Sequence, residues 1–272
     1  MFAAWLYGHY RTVWWSLFVL FGLPFSDMLL RLLRGELGIN PLEALLRGTG
    51  RWALILLLLS LTVTPLRRVL TAAARARHAR FGKRFSDWNW LVRLRRMIGL
   101  YSFFYASLHC AVFLHFDVAW SWQSALAEAR EKPFLLAGAS ALILLLPLAA
   151  TSTNSMMRLL GGRWRQLHRL SYAIAIVALV HFWWLIKVGE SRPLPYTMVA
   201  VVLLGYRLLT RYGFLVPRPT DDGMETPERG TSARAFQALA ARQWKWVSVS
   251  EGRGKATAKR ADRSLRLRRS GH

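Results

Sequence analysis

The sequence predicts an all-α integral membrane protein, a bundle of about six transmembrane helices. Three observations predict it. Of the 272 residues, 54% are hydrophobic, and they come in blocks rather than alternating with polar residues as a half-buried soluble element requires. The blocks at residues 54–64, 134–150 and 170–186 hold almost no charge, and several approach the roughly 20 residues that cross a bilayer core of about 30 Å. The formal charge of +24 is carried by cations that flank the blocks. A nucleic-acid-binding chain would gather such cations on a folded basic surface. Here they lie where the positive-inside rule places them, so the predicted partner is membrane lipid and not nucleic acid.

Taken in order, the expected spans are residues 13–33, 52–66, 97–116, 134–150, 168–186 and 195–209. In the first, Asp27 and Arg31 stand four apart, the spacing that pairs side chains on one helix face, and Pro24 is a candidate break. Residues 67–96 hold ten Lys and Arg against one acid, Asp87, and the next loop on that side holds Arg158, Arg163 and Arg165 with no acid. The opposite loops mix Glu36, Glu43, Asp117, Glu128 and Glu131 with cations. The bias predicts that both basic loops and both termini are cytoplasmic; a bacterial inner-membrane location is what the family resemblance described below implies. Residues 1–12 are then a cytoplasmic N-terminus, 13–212 the transmembrane domain, and 213–272 a basic, largely disordered cytoplasmic tail with a short amphipathic helix expected over 233–249. The first apolar run is long and carries Pro24 and Asp27, which does not read as a cleavable signal peptide. Cys110, the single cysteine, excludes an internal disulfide, a CxxCH haem attachment and a cysteine-rich metal cluster.

Ionisable residues inside spans mark functional sites by default, and four histidines fall there: His109, His115, His168 and His181. His109 follows Arg96 by 13 residues and His181 follows His168 by 13, so each rises roughly 20 Å from the same face at 1.5 Å per residue. Two imidazoles at one depth on neighbouring helices suit the two axial positions of a six-coordinate haem iron. The competing reading is that each histidine bonds a backbone carbonyl across helices. Tyr101, Phe104, Tyr105, Trp183 and Trp184 are the expected aromatic surroundings. Thirteen steps of about 100° rotate His168 away from the face of His181. His168 is therefore a candidate ligand of a second haem, or a contact for a flavin or quinone, with Arg96, Arg163, Arg165 and Arg169 placed to meet a phosphate or propionate. His115, near the far mouth, is the weakest candidate. A different class, a transporter relaying protons through Asp27 and the histidines, lacks the internal repeats and paired broken helices of such folds.

Three segments carry a resemblance. They are Arg95 to His109 (RRMIGLYSFFYASLH), Thr151 to Met156 with Leu160 to Tyr172 (TSTNSM, LGGRWRQLHRLSY), and Thr64 to Arg68 (TPLRR). Together they resemble the MsrQ (YedZ) family of haem-binding membrane subunits over roughly residues 48–190. The resemblance implies a ferric-reductase-like transmembrane fold with one or two haems b, FMN, and iron ligands at His109, His168 and His181. It implies electron flow from the quinone pool, or a cytoplasmic flavin reductase, to a periplasmic molybdopterin partner, MsrP, that reduces methionine sulfoxide in oxidised periplasmic proteins. This chain is then expected to be an electron-transfer subunit that leaves the substrate chemistry to that partner. His115 is not part of the family pattern, and the long tail departs from it beyond about Tyr212.

Overall fold

The computed structural model describes residues 9–78, 85–186 and 190–212, and among them every regular element is a helix. In chain order they are α1 (Tyr10–Leu33), α2 (Pro41–Ala76), a 3-10 turn (Phe85–Trp88), α3 (Asn89–Phe116), α4 (Trp122–Glu131), α5 (Pro133–Ala150), α6 (Asn154–Leu160), α7 (Gly162–Leu167), α8 (Leu170–Leu185) and α9 (Leu194–Arg211). The expected tail helix at 233–249 lies outside the described residues.

Local chemistry sets the boundaries. Asn40 caps α2 by accepting the Glu43 N–H at 3.2 Å, with Pro41 at the first helical position, where its missing N–H costs nothing. Ser121 and Thr153 cap α4 and α6 in the same way, through the Ser124 and Met156 N–H groups. Gly161 joins α6 to α7 at φ +49 and ψ −115, a conformation open to glycine.

Five stretches are long and apolar enough to span a membrane: α1, α2, α3, α5 and Gly162–Leu185. The expected sixth, residues 195–209, is helical within α9, which is not among the stretches long and apolar enough to span a membrane. The second span is far longer than the 15-residue block at 52–66 implies, 36 residues of helix. Arg47, Arg51, Arg67, Arg68 and Arg75 belong to α2 rather than to loops, because good helix formers such as the run Ala72–Ala74 extend it beyond the apolar block. The loop expected at 117–133 likewise contains α4.

Pro24 does not end α1. Proline removes one donor and pushes away the carbonyl four residues back, opening the ladder locally. The buried Tyr105 hydroxyl fills that opening. It accepts the Phe25 N–H at 3.0 Å and donates to the Phe21 carbonyl at 2.8 Å. One turn earlier on α3, the Tyr101 hydroxyl donates to the Phe18 carbonyl at 2.7 Å. The expected Asp27–Arg31 pair forms at 3.0 Å on the exposed side of α1.

The most extensive helix pairings are α2 with α3 and α5 with α8. The pairs meet through Leu57 and Leu61 of α2, Ala141, Leu145 and Leu148 of α5, Ile174 and Ala175 of α8, and Leu203 of α9. Outward faces are apolar, as with Trp15, Ile143, Val201 and Val202. Surface of that character suits lipid rather than water.

Candidate functional site

One face of α3 is written at seven-residue intervals: Arg95, Ser102, His109. Seven residues are close to two full turns, so the three side chains align. Ser102 Oγ donates to the Ala53 carbonyl of α2 at 2.8 Å. Seven residues toward the start of α2, the Leu46 carbonyl lies 3.0 Å from His109 Nδ1. The antiparallel register of α2 and α3 thus carries His109 into the bundle two turns beyond Ser102.

His181 is held in the same manner by the other pair. Its Nδ1 lies 2.7 Å from the Phe134 carbonyl of α5. In each pair a glycine follows that carbonyl by four residues, one turn on: Gly50 after Leu46 and Gly138 after Phe134. A Cβ at Gly50 would stand 3.2 Å from His109 Nδ1 and Cε1, and one at Gly138 would stand 2.9 Å from the same atoms of His181. The rings therefore lie in cradles that a side chain would fill. Thr49, itself buried, closes the first cradle with Oγ1 3.3 Å from His109 Nδ1, while donating to the Leu45 carbonyl at 2.7 Å.

These contacts fix the tautomers. A carbonyl only accepts, so Nδ1 carries the proton in both rings and Nε2 keeps its lone pair, the form that binds a metal. The two ring centroids are 6.1 Å apart, with planes crossed at 84°. Two metal–imidazole bonds of about 2 Å each, extended to the ring centres, span about 6 Å. Among the described residues no group of three or more His, Cys, Asp or Glu gathers to hold an ion. Two facing imidazoles fit a metal whose remaining positions a macrocycle fills, which is the haem arrangement. The two readings of the sequence, carbonyl bond and iron ligand, are here compatible, because they use opposite nitrogens of each ring.

The aromatic expectation was misplaced. Tyr101 and Tyr105 turn to α1 through the hydroxyl bonds above, and Phe104 packs on Phe25 of α1 at 5.4 Å between ring centroids. Trp183 donates to Thr197 Oγ1 of α9 at 2.9 Å, and Trp184 is exposed. Of the aromatics flagged in the sequence, none makes these cradles. Phe134, which the sequence reading passed over, lies 6.0 Å from His181.

His168 does not begin the helix of His181. It occupies the turn between α7 and α8, stacked on Trp164 at 3.9 Å, with Nδ1 3.1 Å from the Trp164 carbonyl. That contact again leaves Nε2 free. Of the arginines picked from the sequence, Arg96 donates to Asn154 Oδ1 at 2.5 Å, and Arg163, Arg165 and Arg169 are exposed. His115 is exposed and accepts the Trp120 indole N–H at 3.1 Å. Asp27, the other residue of the proton-relay reading, is tied to Arg31 and largely exposed, with side-chain exposures of 59% and 57%.

Residues 49–179 match the ferric reductase like transmembrane component family. The chain is 45% identical over 193 residues to the protein-methionine-sulfoxide reductase heme-binding subunit MsrQ of Herminiimonas arsenicoxydans, covering 69% of this chain and 81% of that one. The chain belongs to the MsrQ family. The MsrQ of Azospira oryzae is 41% identical over 207 residues, 75% of this chain and 82% of its own. That of Bordetella pertussis is 42% identical over 195 residues, with coverages of 71% and 86%. No solved structure matches. The family-model match runs from Thr49, beside the first cradle, to Leu179, two residues before His181.

Proposed function

We propose that this MsrQ-family chain is a haem b membrane subunit. It carries electrons across the bacterial inner membrane to a periplasmic molybdopterin methionine-sulfoxide reductase, MsrP, supporting repair of oxidised periplasmic proteins. The observation that carries the reading is the pair His109–His181: rings 6.1 Å apart, each with Nδ1 on a backbone carbonyl and Nε2 free. Haem, when bound, supplies one-electron transfer at its iron. The residues of the chain hold the ring orientations, since a ligating histidine whose other nitrogen is hydrogen-bonded is fixed in direction and made more basic. With both His109 and His181 holding the iron, no position would be left open for O₂ or substrate, which would favour electron transfer. The only cysteine, Cys110, has no resolving thiol, so the sulfoxide chemistry belongs to the partner.

The donor in this reading is the quinone pool or a cytoplasmic flavin reductase. FMN, or a second haem, is assigned to the end of the bundle holding His168. Its phosphate or propionate contacts are assigned to Arg96, Arg163, Arg165 and Arg169, and both termini to the cytoplasmic side. The test is spectroscopy on the purified, correctly inserted chain. A pyridine haemochrome and a low-spin spectrum are expected. Crossed imidazole planes leave the two iron orbitals they touch nearly degenerate, so the EPR signal should be strongly anisotropic. His109→Ala and His181→Ala should each lose haem or turn it high-spin. A wild-type chain without a Soret band, or either variant keeping the low-spin signal, would overturn the proposal.

A further inference from the structure

Residues 117–132 join the two histidine cradles. At one end they continue α3 eight residues after His109, and at the other they lead into Phe134, whose carbonyl holds His181. The turn that opens this connection is strained. Ala119 and Trp120 have φ +46 and +61, a left-handed pair that an L side chain resists. Its neighbours hold it there. Val118, the residue before the pair, is buried. The Trp120 N–H donates to the Leu114 carbonyl at 2.7 Å, and the Ser121 N–H to the Val118 carbonyl at 2.8 Å. The Trp120 indole N–H donates to His115 Nδ1 at 3.1 Å. With both its donors satisfied inside the chain, Trp120 is still 60% exposed, and Trp122 is 81% exposed. Leu126 is exposed too, four residues after Trp122 and so on the same face of α4. The helix meanwhile packs on α5, with Ala125 and Ala129 half-buried.

Backbone strain of this kind gathers at sites that bind or react. Two coverings suit an apolar face here, the lipid headgroup layer and a protein. A tryptophan anchored in the headgroup layer keeps its ring in the apolar boundary and its N–H toward the wet side. Trp120 turns its N–H back to His115 instead. A helix lying in the interface carries Lys and Arg on its polar face. The charges of α4 are Glu128, Arg130 and Glu131, with Glu128 paired to Lys132 just beyond its end. A fluid layer needs no ring held at a fixed angle, whereas a protein pocket does, and rigid aromatics inside a polar rim are the anchors of protein interfaces. We propose that Trp120, Trp122 and Leu126 are the docking anchors for the methionine-sulfoxide reductase partner, which meets them with an apolar cleft and a rim of mixed charge. The face lies on the connection between the two cradles, so docking there brings the partner to the end of the bundle that holds His109 and His181. His115 is a positioning residue, fixing the indole of Trp120. This rests on reading the chain as the electron-carrying subunit of that reductase.

The experiment uses the full-length, haem-loaded chain in nanodiscs with purified MsrP and a methionine-sulfoxide substrate. Reoxidation of the dithionite-reduced haem is followed against MsrP concentration, which separates KM for the partner from kcat. Trp120→Ala and Trp122→Ala should each raise KM about tenfold or more, as the loss of an interface anchor does. The kcat, haem content and low-spin spectrum should stay as in wild type. Trp15→Ala, at an exposed tryptophan of α1, should leave KM unmoved. His115→Leu should raise KM, and His115→Gln, whose amide oxygen still accepts the indole N–H, should recover it. If Trp120→Ala fails to insert, Trp122→Ala, outside the strained turn, decides. An unchanged KM in Trp122→Ala would overturn the proposal. With KM unmoved, brominated lipids quenching the emission that this variant loses would make the face a lipid anchor, and a wild-type dimer that the variant dissociates would make it a contact between copies. A low-spin wild type that delivers no electrons to MsrP would sink the proposed function together with this inference. Delivery that is equally good without the tryptophans sinks this inference alone.

Discussion

Replacing Gly138 by alanine sets two effects of opposite sign against each other. The new Cβ would stand 2.9 Å from Cε1 and Nδ1 of His181. Ordinary carbon contacts begin near 3.5 Å, so the ring must retreat by about 0.6 Å. It cannot do so freely, since Nδ1 is bonded to the Phe134 carbonyl one turn back on the same helix, at 2.7 Å. Overpacking of this kind costs about 1–3 kcal/mol, which is about a tenfold to hundredfold loss of haem affinity if it falls on the ligand. Removing glycine from a helix interior meanwhile favours the helix by about 0.5–1 kcal/mol. Gly138→Ala should therefore lose haem and broaden the low-spin EPR signal while the polypeptide keeps its insertion and monodispersity. Gly50→Ala, at 3.2 Å from His109, needs a shift of only about 0.3 Å and should be milder. The assays are haem-to-protein ratio, EPR and detergent size-exclusion. Full haem occupancy in Gly138→Ala, or a worse defect in Gly50→Ala, would refute the cradle argument.

Three further outcomes follow from the same contacts. Tyr105→Phe removes the hydroxyl inserted between the Phe25 N–H and the Phe21 carbonyl. It should cost about 1–3 kcal/mol in thermal stability without altering the haem spectrum, and an unchanged melting midpoint would count against the insertion. His168→Ala should preserve the low-spin haem of the His109–His181 pair while lowering second-cofactor content or electron entry. Loss of that haem, with His181→Ala retaining it, would make His168 the partner of His109. A C-terminal fluorescent protein fusion should be bright and an alkaline phosphatase fusion inactive, and the reverse pattern would exchange the two sides of the membrane.

Five of the six expected spans and the approach of His109 to His181 were legible because both rest on counting. Bilayer thickness fixes how many apolar residues a span needs, and helical rise fixes the depth of His109 and His181. The length of α2 was missed because its arginines read as loop, although Asn40-Pro41 is a capping signal. The aromatics were misassigned because proximity in sequence was taken for proximity in space. Tyr101 and Tyr105 point to α1, whereas His109 shares its face with Ser102, seven residues back. The carbonyls of Leu46 and Phe134 have no letter of their own, since every residue carries one. Their only trace was a glycine four residues later in an apolar run.

The two imidazoles belong to different helix pairs, His109 to α2 and α3, His181 to α5 and α8. The gap between them is consequently a property of how the pairs slide on each other, not of either cradle. That sliding is governed where Leu57 and Leu61 meet Ala141, Leu145, Ile174 and Ala175. Leu61 is fully buried and stands 15 residues from Leu46, about 22 Å of helix. A single methyl added or removed there would shear one pair against the other and act on the gap like a vernier. Ligand spacing would then be adjustable from the far end of the bundle with both cradles untouched.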